Sequence, residues 1–205
     1  MSIQFDQLVS GLRDVSQIDT TLDTIKQVLF DREELLIDEL ATLIKHPEQI
    51  KDTHQFASIL AEYNSAKFIP NLIAVLQQSQ AGNSPYLGDY LYALVSVLNC
   101  HEEVYDFDDE FTGLLAHWLL QTGGGEVAWK AADILSWNRN PLALAALLTG
   151  AKQAALFDMA RHACLRGVVN HFPEQAPALL AALLDDENQE IREHAQSARD
   201  WLASR

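Results

Sequence analysis

The sequence predicts an all-α fold of stacked helical hairpins. Apolar residues recur at helical spacing through most of the chain, and strand-like alternation bounded by turn residues is nearly absent. Helical segments also return at a repeat-like interval: the helix-ending asparagines Asn64, Asn99 and Asn138 stand 35 and 39 residues apart. With 48% apolar residues in a chain of 205, there is material for a sizeable core and none of the composition of a disordered segment. One elongated domain, 1–205, is expected, with an amphipathic helical cap over 1–32 and repeats over 33–205.

The elements follow in order. Periodicity predicts cap helices at about 3–12 and 19–30, then a helix at about 33–45. Asp52 precedes Thr53 to Tyr63 and predicts a helix over about 52–64, since a short acceptor side chain satisfies free N–H groups at a helix start. Pro70 lies within the apolar run Phe68 to Leu76, so the helix of about 66–79 either begins just before it or kinks there. Asn83-Ser84-Pro85 opens a helix at about 86–99, and Asp108 one at about 108–121. Gly123 to Gly125 forms a turn, followed by a helix at about 126–138. Asn140-Pro141 ends that helix and starts the next at about 141–150. Helices at about 154–170, 174–184 and 188–203 complete the series, with Asp186 leading Ile191 to Leu202.

Between Val127 and Pro141 a helix rich in small residues turns through Asn140-Pro141 into Leu142 to Leu148. Weaker copies are Phe56 to Asn64 leading into Phe68 to Leu76, Leu87 to Asn99 leading into Phe111 to Leu120, and Met159 to Asn170 leading into Pro173 to Leu184. A last second helix carries Ile191, Arg192, Ala195, Ala198 and Leu202. On these residues the chain resembles the HEAT-repeat family over 33–205. The family's basic second position is matched only at Arg192, and insertions interrupt the period near 100–110. The resemblance implies an α-α superhelix, or α-solenoid, of about five hairpins whose second helices line a concave face. Each hairpin would bury against its neighbours the apolar face it cannot bury alone.

Composition narrows the function. Fourteen Lys and Arg against 29 Asp and Glu give a formal charge of -15, so the surface repels phosphate backbones and anionic lipid. Neither nucleic acid nor membrane is expected as a partner, whereas a protein with a basic surface is. Two cysteines far apart, Cys100 and Cys164, suit a reducing compartment, and Met1 to Leu12 lacks the basic and apolar pattern of a signal peptide. A cytoplasmic protein is expected.

No catalytic signature stands out. A phosphate-binding Gly-rich loop ending in Lys-Ser/Thr, a G-x-S-x-G elbow and an H-E-x-x-H motif are all missing. Cys100-His101 and His162 with Cys164 place soft ligands near each other, but at spacings that diverge on a helix, so neither metal nor cofactor is expected. The prediction is a non-enzymatic binding module.

Candidate contact residues come in two groups. Glu102, Glu103, Asp106, Asp108, Asp109 and Glu110 form the densest acidic run, interleaved with Val104, Tyr105 and Phe107, and read either as a solvated connection or as an anionic hook. Trp129, Asp133 and Trp137 recur every four residues and share a stripe opposite Val127, Ala131, Ile134 and Leu135. Tyr86, Asp89 and Tyr90 occupy a comparable face one helix pair earlier, and His54, Ser58 and Glu62 one pair before that. Stacked second helices would align Glu62, Asp89 and Asp133 into a continuous acidic, aromatic-flanked groove.

The leading expectation is a protein-binding module, most specifically a bacterial immunity-type protein neutralising a basic toxin domain. The HEAT resemblance implies two other classes. DNA glycosylases conflict with the acidic charge, whereas bilin-attaching lyases and their chaperone-like relatives do not. A general assembly scaffold is the further alternative.

Overall fold

The computed structural model describes residues 5–14, 16–79, 84–101, 103–121 and 124–204. Among them the secondary structure is helical, with no strand and one isolated bridge between Tyr105 and Asn138. The packing divides the chain into two compact units, 1–101 and 102–205, each described by itself.

The first unit holds α1 (Phe5–Arg13), α2 (Ile18–Ile44), α3 (Thr53–Tyr63), α4 (Ile69–Gln78) and α5 (Leu87–His101). Helix α1 lies on α2; α2 pairs with α3 and α4 with α5, while α2 also packs on α4 and α3 on α5. First helix thus meets first helix and second meets second, the contact pattern of stacked hairpins. Phe56, Phe68, Leu72 and Leu94 are wholly buried between them, each contributing roughly 1.5–3 kcal/mol by transfer out of water.

Local chemistry sets the boundaries. The Asp52 carboxylate accepts from the Gln55 N–H at 2.9 Å and caps α3. Asn64 closes that helix in the left-handed region, at φ 48°, where asparagine is tolerated better than most residues. A short 3-10 turn, Ala66–Phe68, precedes α4 and places Pro70 in its first turn, so the helix begins just before the proline, at Ile69. The expected break between helices at 19–30 and 33–45 is absent: α2 runs unbroken through it. No Gly or Pro interrupts Ile18 to Ile44, so nothing stops the helix where a cap was expected to end.

The second unit holds α6 (Asp109–Leu120), α7 (Gly125–Ser136), α8 (Pro141–Lys152), α9 (Asp158–His171), α10 (Ala176–Leu183) and α11 (Gln189–Ala203). Pairs α6–α7, α8–α9 and α10–α11 are hairpins; first helices meet in the order α6, α8, α10 and second helices in the order α7, α9, α11. Close approach depends on two glycines. A Cβ on Gly150 would lie 2.8 Å from the Cys164 Sγ, and one on Gly167 2.7 Å from the Ser136 Cβ. Asp108 caps α6 by accepting from the Phe111 N–H at 2.7 Å, and Asn140 caps α8 ahead of Pro141. The cap of α11 is Asn188, not the expected Asp186. Asp186 instead accepts both Nη groups of Arg161, a side chain only 1% exposed whose Nε donates to the Ala151 carbonyl at 3.1 Å.

Candidate functional site

The acidic connection entering α6 is held as a strap. The Tyr105 N–H donates to the Trp137 carbonyl at 2.7 Å, and the Arg139 N–H donates to the Tyr105 carbonyl at 3.1 Å. Buried Asn138 braces it from beneath: its Oδ1 accepts the N–H groups of Phe107 and Asn140 at 3.3 and 3.0 Å, and its Nδ2 donates to Thr112 Oγ1 at 2.8 Å. Phe107 is buried, stacked with Tyr105 and edge-on to Phe111. The alternation of aromatic and acidic residues therefore separates a docked apolar edge from carboxylates in water.

Glu103, Asp106, Asp108, Asp109 and Glu110 are all exposed, but they are not equivalent. Asp108 is spent on the helix cap, and Asp109 accepts from Asn140 Nδ2 at 2.7 Å. Glu103 lies close enough to the Tyr105 phenol to help burial push its pKa up. Glu102 lies outside the described residues, as do Asn83 and Gly123.

The predicted aromatic–acidic groove is not built as expected. Asp133 is 7% exposed and paired with the Arg166 guanidinium. Burial raises its pKa; the Arg166 charge, and hydrogen bonds from Arg166 and Trp129, oppose that rise. Helix α7 is packed by α6, α8 and α9, and Ala128, Ala131 and Ala132 let neighbours come close on several sides, so the stripe carrying Asp133 is covered too. Trp129 and Trp137 are half-buried, and the Trp137 ring sits 4.4 Å from that of His171.

In the first unit, Tyr90 is fully buried and cannot meet a partner. Leu87, Tyr90, Leu91 and Leu94 follow i, i+3, i+4, i+7, a core stripe in which the tyrosine belongs. Its hydroxyl has no hydrogen-bond partner among the described residues, and burial pushes its pKa far up. Half-buried Tyr86 leans on it with ring centroids 5.7 Å apart. Asp89 accepts from Thr53 Oγ1 at 2.8 Å and contacts His54 Nδ1 at 3.1 Å. Glu62 is exposed and lies 3.7 Å from Lys26. Glu62 and Asp89 belong to the first unit and Asp133 to the second, and two of the three are engaged with neighbouring second helices.

Sequence reasoning missed Arg166, His194 and Trp201, and weighed His162 only as a metal ligand beside Cys164. A signal existed: Arg166 follows Asp133 by 33 residues and Asp89 follows His54 by 35, close to one repeat in each case. Residues one period apart on stacked second helices face each other. His162 and His194 obey the same rule, with rings 4.0 Å apart. Burial first, and then the His194 charge, lowers the pKa of His162; burial lowers that of His171. Cys164 is wholly buried and its thiol pKa is pushed far up.

No helix among the described residues is long and apolar enough to cross a membrane. No protein-family model matches the chain, and no curated protein does. A solved structure, that of human deoxyhypusine hydroxylase in complex with glycerol, is similar to it at 16% identity and a TM-score of 0.34, over 98% of this chain and 96% of that one. The expectation of a non-enzymatic chain is corrected by this finding, because the similar structure is that of an enzyme. At that identity and TM-score the likeness transfers no residue, substrate or reaction.

Proposed function

We propose that this chain is a HEAT-like repeat protein that binds a partner protein with a basic surface, through the acidic strap at 103–110. One observation carries the reading. The carboxylates of Glu103 and Asp106 stand in water on a backbone pinned to Trp137 and Arg139, so they form a fixed anionic edge on a chain of net charge -15. Charge complementarity of this kind speeds encounter and selects against acidic competitors. The most specific form of the reading is an immunity-type protein that covers a basic toxin domain.

The test is capture of partners from the native host, followed by titration of the captured protein against the chain and its Glu103→Gln/Asp106→Asn double variant. A basic partner whose affinity falls about tenfold or more, as removal of important interface charges does, is the expected result. An acidic partner, or an affinity indifferent to both substitutions, overturns the proposal.

A further inference from the structure

Between α9 and α11 lies an open groove of about 320 Å³. Its base is apolar, from Leu165, Val169 and Ala198, and Trp201, 39% exposed, forms one wall. The polar lining comes from Arg166, His162 and His194, with Asn170 and Ser197 as neutral hydrogen-bonding groups. Among the described residues no carboxylate lines it, in a chain that carries 29. Three acids lie nearby: Asp133, paired with Arg166, and Asp158 and Glu190, each one helical turn before His162 and His194; Asp158 accepts from Asn188 Nδ2 at 3.0 Å.

Two features leave donor capacity unused. The Arg166 side chain is 61% exposed and directs one terminal nitrogen to Asp133, while a guanidinium has five N–H donors. The His162 Nε2 is buried with no hydrogen-bond partner among the described residues; in the tautomer protonated at that nitrogen it is a donor whose unpaired state costs free energy. The Arg166 guanidinium and an imidazole donor beside an apolar base and an aromatic wall suit a molecule with one anionic end and one apolar end.

We propose that this groove binds a small amphiphilic carboxylate. Its carboxylate lies against Arg166 and His162, and its aromatic or branched apolar body lies over Leu165 and Val169 beside Trp201.

The full chain is titrated with 4-phenylbutyrate and, separately, with the neutral 4-phenylbutanamide, while the imidazole and indole proton resonances are followed by NMR. Two variants keep the fold testable: Trp201→Ala at an exposed position, and Arg166→Lys, which retains a cation for Asp133 but loses the fork. The carboxylate is expected to shift the His162, His194 and Trp201 signals and to bind about tenfold more tightly than the amide, since a charge-assisted hydrogen bond contributes about that factor. Each variant is expected to weaken the carboxylate about tenfold and to keep the wild-type circular dichroism. Equal binding of acid and amide overturns the proposal, as do shifts confined to residues outside the groove, or none at about 10 mM.

Discussion

At the scale of single residues, a polar side chain in this protein is judged by what it meets. Tyr90 brings its hydroxyl into the core with no partner among the described residues, so removing that oxygen removes a desolvation cost. Tyr90→Phe is expected to leave stability unchanged or raise it by up to about 1 kcal/mol, read from the midpoint of urea unfolding; a clear loss would mean that the hydroxyl has a partner. Arg161 is the opposite case, since Asp186 and the Ala151 carbonyl both depend on it. Arg161→Met is expected to cost about 3 kcal/mol in the same measurement, because breaking one side of a buried pair strands the other. Neither role was read from the sequence. Tyr90 could have been placed by its spacing from Leu87 and Leu94, but nothing near Arg161 announces that its acceptor lies 25 residues away.

At the scale of elements, the legible features were those whose cause is local. Asp52, Asp108 and Asn140 cap the helices they precede, and the start of α4 is set by Pro70. The continuity of α2 went unread because a cap was expected where the chain has no breaker, and Asp133 because the exposure of a stripe depends on how many neighbours its helix acquires. The acidic strap was located as a segment, but its fixation by Asn138 was not, since that asparagine read as a helix end. Asn138→Ala would leave the Phe107 and Asn140 N–H groups without their acceptor, at a cost of about 1–3 kcal/mol. Faster amide hydrogen exchange at Phe107 than in the wild type would check this. Gly167→Ala forces a methyl against Ser136; since overpacking a tight helix contact costs typically about 1–3 kcal/mol, the variant's melting temperature should fall.

At the scale of the whole molecule, the all-helical architecture was legible because repetition is written into the sequence, while the site depended on pairings between repeats. Titration belongs to this scale. His162 and His171 both have pKa values lowered in the folded chain, so the unfolded chain binds the extra protons. Their contribution to stability is complete above the ordinary histidine value near 6.5 and is lost as pH falls through their folded values. Asp133, raised in the fold, has the opposite sign and adds stability as pH drops further, through its own folded value. Thermal unfolding followed by circular dichroism should show the melting temperature declining between about pH 7 and pH 5.5, with a shallower decline in a His162→Gln/His171→Gln double variant. The strap has a kinetic consequence as well. Because its backbone is set before any encounter, little ordering entropy remains to be lost on docking. Added sodium chloride should then slow the arrival of a cationic visitor while leaving its residence time nearly constant, a division that stopped-flow mixing at several ionic strengths would reveal.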